Sequence, residues 1–548
     1  MPLLLLVFLW LACLPEPGKD WPEPPWDAGP WLAVVLSALT VALATLSAGL
    51  VSRRARLGLA PGVQLRDEVL TRYERSRSRH QVVLFGLYLL ALLVFGWGDA
   101  VGRLWRVGDR LLPFPELVVL APFLASLLLS WACFYDAERS LWGAGHMEEG
   151  LNTTLPEREA VVETAATFTT VLRPACRVPD SLTSRRDYVL FHLRQTLAML
   201  FLPVGLILAL KEFTRLIPEE ALPQWERVFH VTGAAAVLAA FAAMPWILRL
   251  VLGLTPLPDG PLARRLLATT RRLGFRCSGL LHWNTSRGMA NAMVIGILPW
   301  PRYVIFTDRL LEELTPEEVE AVLGHELGHV KHRHILYYLG FLLATFAVVV
   351  LAAWRFGPPP PKPVDTSNAQ PPAVEIKAES EVQPLPRDIE SSLATYLTMQ
   401  NHPYLKLVPG IVAMLAYIFV VFGYVSRRCE RQADVFGCRA VSCARADCAG
   451  HGDGDVTGTG RHLCPTGLRT FIRALEKVAK VNGLNRERPG YLQAWQHSTI
   501  ARRVAFLQRL LDEPAAERTF QRRVLLLKCG LLGGLGLVMT ALILLRPG

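Results

Sequence analysis

Apolar runs long enough to cross a membrane alternate along the chain with basic and with mixed polar segments. About twenty consecutive apolar residues span the hydrocarbon layer as a helix. Runs near that length fall at Trp31–Val51, Gln81–Gly98, Glu116–Tyr135, Thr196–Leu210, Phe229–Gly253, Ile335–Trp354, Leu405–Val425 and Val524–Leu545, eight in all, give or take one. Thr196–Leu210 is the shortest. Lys528 sits near one end of the last run, from which its long side chain can reach the interface. Met1–Leu14 is apolar too, but short and without a basic leading segment; a processed signal peptide and a short membrane-associated N-terminus both fit it.

Between the fifth and sixth runs the pattern changes to that of a small α+β unit. Pro261–Leu273 has the periodicity of an amphipathic helix. Asn291–Leu298 and Arg302–Thr307 are β-rich and joined through Pro299-Trp300-Pro301, which predicts a hairpin. Thr315, Pro316 and Glu318 then form a capping box with proline at the first helical position, so a helix is expected from Pro316 to about His334. Phe356–Tyr404 opens on four prolines after Gly357 and is rich in Glu, Asp and Ser, the composition of a flexible linker.

Composition agrees with the pattern. Of 548 residues, 51% are hydrophobic and 19% charged, against roughly 25% charged in a soluble domain, and the mean hydropathy is +0.29. A disordered chain is excluded. The net charge of +11 is carried by Arg, since Lys supplies 9 of the 58 basic residues; that bias suggests a GC-rich bacterial source. In a membrane protein a basic total marks cytoplasmic loops, not a nucleic-acid site. Ser52–His80 holds eight Arg against three acidic residues and is placed in the cytoplasm, so Thr255–His334 and Ser426–Arg523 are cytoplasmic and Phe356–Tyr404 is outside. The loop carrying Arg103, Arg106 and Arg110 disagrees mildly.

The capped helix carries His325-Glu326-Leu327-Gly328-His329. Two His four apart share one helical face and can converge on one Zn²⁺, with the intervening Glu aimed at a metal-held water. A third ligand is needed. The extended HExxHxxGxxH form is excluded by Ile335. His332 is one turn on but would have to reach back past His329. Glu430 in Ser426–Asp434 is the other option, with Asp434 four residues later positioned to hold a ligand His by its second nitrogen.

These residues resemble the type I CaaX prenyl proteases and the related HtpX heat-shock membrane proteases. The resemblance runs roughly from Trp31 to Leu511 and rests on His325–His329 and on Glu430 to Asp434 after an intervening span. Asn291-Ala292 resembles the family's edge-strand motif, Thr307–Leu311 the segment before the zinc helix, and His497–Arg503 its C-terminal His-Pro-x-x-x-x-Arg motif, with Ser498 in place of Pro. Five spans before the zinc motif match the prenyl-protease layout better than the shorter HtpX one; the eighth span is extra. With the eight apolar runs, the expected fold is a mainly α integral membrane protein of about eight transmembrane helices with a small α+β zincin-like cytoplasmic catalytic part, which the resemblance supports. It implies one catalytic Zn²⁺ held by His325, His329 and Glu430, with Asp434 behind them, Glu326 as general base and acid, and His497 as oxyanion donor. Arg503 would bind substrate or brace the site, and Asn291 would anchor a substrate laid along the hairpin edge.

The expected organisation is an apolar segment over 1–30, five spans over 31–253, the zinc-protease core over 254–334, two spans and their outer loop over 335–425, a cytoplasmic segment with the third ligand over 426–523, and a last span over 524–548. The expected activity is a zinc metalloendopeptidase of the bacterial cell membrane, its active site facing the cytoplasm. Its partners would be a protein or peptide substrate and the bilayer, with no nucleic acid. CaaX-type processing of lipidated peptides and a non-catalytic zinc-bearing scaffold are the alternatives; Glu326, which a structural site does not need, argues against the scaffold. A transporter would want ionisable groups within its spans, and Lys528 alone is well inside one.

One cytoplasmic insertion holds Cys438, Cys443, Cys448 and Cys464, with His451 and His462. The cysteine spacings are not those of paired CxxC ligands, so a second structural zinc and a set of buried thiols both remain open. Gly450–Gly460 reads as a flexible loop without a full calcium-loop pattern.

Overall fold

The computed structural model describes residues 29–59, 66–108, 110–151, 184–215, 235, 239, 242–285, 289–356, 416–443, 445, 447–457, 463–482, 484, 486–487 and 497–544. The apolar N-terminal run, most of the linker, His462, and large parts of the Phe229–Gly253 and Leu405–Val425 runs lie outside them. The described chain is mostly helical. It divides into two compact units, Met1–Lys331 with Glu430–Pro514, and His332–Cys429 with Ala515–Gly548.

In the first unit, α1 (Gly29–Gly58), α2 (Arg66–Leu93), α3 (Trp97–Leu104), α4 (Pro115–Leu151) and α5 (Arg185–Arg215) carry the first four predicted runs. The burial of α1 is the reverse of a soluble helix. Its small residues Ala33, Ser37, Thr40, Ala44, Ala48, Ser52 and Ala55 face inward, while Trp31, Val35, Leu39, Leu43, Leu46 and Leu50 are exposed. Small residues let helices approach closely where lipid surrounds their large apolar side chains. Between α1, α2 and α4, His80 is buried with its ring nitrogens 3.2 Å from Ser47 Oγ and 3.0 Å from Ser130 Oγ. Gly96, at φ +67°, turns the chain between the end of α2 and α3, which are bent by 54°. Strands β1 (Arg106–Val107) and β2 (Arg110–Leu111) make a short antiparallel ribbon before α4.

After α6 (Ala242–Val251) comes the α+β part. Strand β3 (Thr255–Pro256), helix α7 (Pro261–Arg272), strands β4 (Gly279–Trp283), β5 (Ala292–Ile295) and β6 (Tyr303–Thr307), and short helix α8 (Asp308–Glu313) lead into α9 (Pro316–Lys331). The sheet order is β3-β4-β6-β5; β5 and β6 form the predicted hairpin, and β4 pairs with β6 in parallel. All five residues of β6 are buried, as expected for a central strand covered on both faces. Val304 and Phe306 pack with Leu266 of α7 and Val319, Leu323 and Leu327 of α9. Tyr303 and Ile305 pack with Leu281, Trp283 and Leu254, near Phe191 of α5 and Leu248 of α6. Helices thus cover both faces, and β5 is left at an edge, beside α9.

In the second unit, α10 (His334–Phe356) packs against the last helix, and Lys528 lies 5.5 Å from the centre of the Tyr337 ring. Helix α11 (Gly423–Ala440) begins in that unit and ends in the first, where α12 (Pro465–Val481) and α13 (Ile500–Asp512) follow; α14 (Ala516–Leu544) closes the chain in the second unit. Among the described residues three helices are long and apolar enough to cross a membrane, or up to five if two bent pairs each form one span.

Candidate metal centre and active site

Helix α9 begins as its sequence dictates. The Thr315 N–H donates to Glu318 Oε2 at 3.0 Å and the Glu318 N–H to Thr315 Oγ1 at 3.4 Å, a closed capping box. Ten residues further, His325 and His329 project from one face with their Nε2 atoms 3.3 Å apart. Glu430 of α11 meets them, Oε1 3.6 Å from His329 Nε2 and Oε2 3.8 Å from His325 Nε2. The three ligand atoms lie within 4.8 Å of one another. Nitrogens bound to a tetrahedral zinc ion at ~2.0–2.1 Å stand about 3.3–3.4 Å apart, so the His pair already has the spacing of such a centre. Two imidazoles and a carboxylate turned on one point fit a divalent cation.

Glycine makes this meeting possible. A Cβ at Gly328 would stand 2.9 Å from Ala433 Cα, and one at Gly324 would overlap the Ala440 side chain and come within 3.1 Å of Gly437 Cα. Gly437 in turn is pressed by the Phe471 ring of α12, which also stacks on His325 at 5.9 Å. Each ligand His is therefore preceded by a glycine that lets α11 close on α9. Behind the ligands, Asp434 is fully buried with Oδ1 3.0 Å from His325 Nδ1. Arg503 of α13, also buried, donates from Nε to Asp434 Oδ2 at 2.9 Å and from a terminal nitrogen to Oδ1, and lies 3.6 Å from Glu430. His497 is exposed, with Nδ1 3.1 Å from Glu430 Oε1.

The electrostatics sort these groups. Burial drives His329 down to about 4, helped by the neighbouring His325, which leaves it neutral and able to ligate. Burial also works against a charge on His325, but the hydrogen bond and charge of Asp434 outweigh it and raise its pKa. Burial works against charge on Glu430 too, yet His497 and Arg503 hold its carboxyl well below the usual range. Asp434 is held low by Arg503 and His325 against the same burial. The charge of Glu430 raises His497. Glu326 behaves in the opposite way: burial, with the Glu430 charge adding, pushes it up to about 7. The backbone N–H of Val294 on edge strand β5 works the other way and lowers it in part.

The structure thus brings His325, Glu326, His329, Glu430, Asp434, His497 and Arg503 together. Arg503 contacts two buried carboxylates, Asp434 and Glu430. Asn291 stands at the start of β5, exposed, its backbone fixed to Thr307: its N–H donates to Thr307 Oγ1 at 2.8 Å and its carbonyl accepts the Thr307 N–H at 3.0 Å. Asn482, at the end of α12, holds the preceding residue Ala290 by its backbone N–H and carbonyl, both at 2.8 Å. His332 is not in the ligand group; α9 ends at Lys331, Arg333 turns the chain at φ +52°, and the His332 ring stacks on His334 at 5.7 Å. Sequence reasoning overlooked Asn482 and the glycines. The signal for the glycines was their place, one residue before each His.

Comparison with known proteins bears on this region. Residues 256–451 match the model of peptidase family M48. A protease HtpX homolog of Methanocaldococcus jannaschii is 42% identical over 66 residues, 12% of this chain and 22% of that protein. A CAAX prenyl protease 1 homolog of Dictyostelium discoideum is 40% identical over 82 residues, 14% of this chain and 19% of that one. The chain thus matches about a fifth of the length of these curated relatives. A structural likeness to S. mikatae Ste24p covers 89% of this chain and 100% of that chain, with 17% identity and a TM-score of 0.41. Residues 256–451, which hold His325, Glu326, His329 and Glu430, match peptidase family M48, and the chain is similar there to HtpX and CAAX prenyl protease 1 homologs.

Proposed function

We propose that the chain is an integral-membrane zinc metalloendopeptidase that hydrolyses peptide bonds of membrane-associated or misfolded proteins. The observation that carries this reading is Glu326: a half-buried carboxyl, raised to about 7, between two His that share a metal-ligand geometry with Glu430. His325, His329 and Glu430 would hold the ion. Bound zinc supplies an acidified water and a Lewis acid for the substrate carbonyl. Glu326 takes the proton of the attacking water and returns it to the leaving amine, a task suited to a carboxyl that titrates near neutral pH. His497, kept protonated by Glu430, donates to the developing oxyanion. Asp434 orients His325, and Arg503 offsets the charge of Asp434 and Glu430 instead of binding substrate.

The substrate lies along β5 as an added strand, its register set at Asn291. Strand β5 suits this: it is the sheet edge, and its Val294 N–H reaches Glu326. The chain crosses the bilayer about eight times, and the site faces the cytoplasm of a bacterial cell, as the Arg-rich loop 52–80 argues. The natural substrates follow from comparing the membrane proteomes of cells carrying the wild type and Glu326→Gln. Proteins that accumulate uncleaved only with the variant are the substrates; identical proteomes would contradict a proteolytic role.

A further inference from the structure

The cysteine-bearing insertion between α11 and α12 holds a second ligand group, separate from the active site. The sulfurs of Cys443, Cys448 and Cys464 and one ring nitrogen of His451 lie within 4.8 Å of one another. His451 Nδ1 is 3.2 Å from Cys448 Sγ and 3.7 Å from Cys464 Sγ. Three thiolates and one imidazole around zinc, at ~2.3 and ~2.0–2.1 Å, place their ligand atoms about 3.6–3.8 Å apart. The observed set is close to that spacing before any ion is considered. Cys438 is not part of it; its carbonyl accepts the Ser442 hydroxyl at 2.7 Å.

The surroundings are those of a built site. His451 Nε2 lies 3.1 Å from the Val441 carbonyl, a hydrogen bond that puts the ring proton on Nε2 and leaves the Nδ1 lone pair facing the sulfurs. Cys464 caps α12, and its Sγ accepts the Gly467 N–H at 3.2 Å, an environment that favours a thiolate. The three cysteines are almost fully buried, and none is in a disulfide. Among its described residues the insertion is held by the three buried sulfurs, a β-bridge from Cys443 to Val456, a single helical turn at Asp453–Asp455 and an Arg445–Asp455 ion pair.

We infer that Cys443, Cys448, His451 and Cys464 bind a structural Zn²⁺. Four protein ligands leave no position for water, so this ion does no hydrolysis. Its task is to fix the loop that joins the two helices packed around the active site. Arg272 conveys that order: it donates to the Ala440 carbonyl at 2.8 Å, where the insertion begins, and to the Val456 carbonyl at 3.1 Å within it, and pairs at 2.6 Å with buried Glu320 of α9. The motif is Cys-x4-Cys-x2-His-x12-Cys, which a count over cysteines alone hides.

The test is metal analysis of the full-length protein purified in detergent without chelator. The wild type should carry two zinc ions per chain, Glu430→Ala one, and Cys448→Ala one. Cobalt distinguishes the sites, because thiolate ligation gives an intense near-ultraviolet charge-transfer band that His and Glu ligands do not. That band should be present in cobalt-loaded wild type and Glu430→Ala and absent from Cys448→Ala. One zinc per chain in the wild type with none in Glu430→Ala, no charge-transfer band, or a disulfide among these cysteines in the native protein would each overturn the inference. The wild type and Glu430→Ala decide it even if Cys448→Ala fails to fold.

Discussion

At the scale of single residues the site sets Glu430 beside two imidazoles, with Asp434 and Arg503 buried behind them. Glu430 and Asp434 are both buried and held ionised, while His329 is neutral. Glu430→Ala should therefore lose the active-site ion and all activity. Asp434→Ala should weaken metal binding by ~10–100-fold, and His332→Ala should keep it. Metal content of the three purified variants checks this; loss with His332→Ala and retention with Glu430→Ala would reverse the ligand assignment. Glu326 gives a second expectation. Its folded pKa of about 7 exceeds the ordinary 4.5, so the folded state holds its proton more tightly and loses stability as pH rises between those values. Gln has no such proton. After chelation, Glu326→Gln should be more stable than wild type at about pH 8, by on the order of 1–3 kcal/mol, with the gap closing below pH ~4.5. Melting curves of both chelated proteins across that range measure it. Ligand types were legible at this scale because HExxH and its spacing encode one helix face. Arg503 was legible only as a motif residue; its partners required the fold.

At the scale of elements the site depends on how closely α11 lies against α9. Gly324, Gly328 and Gly437 set that distance. Gly328→Ala should force the helices apart, costing ~1–3 kcal/mol as overpacking does, and should weaken metal binding although no ligand is touched. Thermal melts paired with metal titration check it; unchanged affinity would mean that the helix approach does not position Glu430. The capping box of α9 and the β5–β6 hairpin were readable because both signals are local. Strand β4 was not: Gly-Leu-Leu-His-Trp is short and lacks clean alternation, and its parallel partner β6 is separated from it by β5 in sequence. The end of α9 at Lys331, short of the expected His334, follows from the left-handed turn at Arg333, which no proline or glycine announces.

At the scale of the whole molecule, long apolar helices accompany a smaller α+β segment that reads like a soluble core. The burial of α1, small residues in and large apolar residues out, is the clearest sign of lipid around it. Hydropathy made the helices legible, because length and apolarity are one-dimensional properties. It left the pairing of helices unread, since small-residue stripes look weak on any hydropathy scale. From the Arg-rich loop 52–80 and the order of spans, a reporter fused after Pro371 should lie outside the cytoplasm and one after Gly450 inside; both on one side would mean a miscounted span between them. The central claim is that an M48-type site hydrolyses peptide bonds by way of Glu326. The most direct measurement is cleavage of a denatured membrane-protein substrate by purified wild type and Glu326→Gln, each with its metal content determined. The account predicts equal metal in the two and a loss of at least ~100-fold in rate for the variant; full activity of a metal-loaded Glu326→Gln would contradict it.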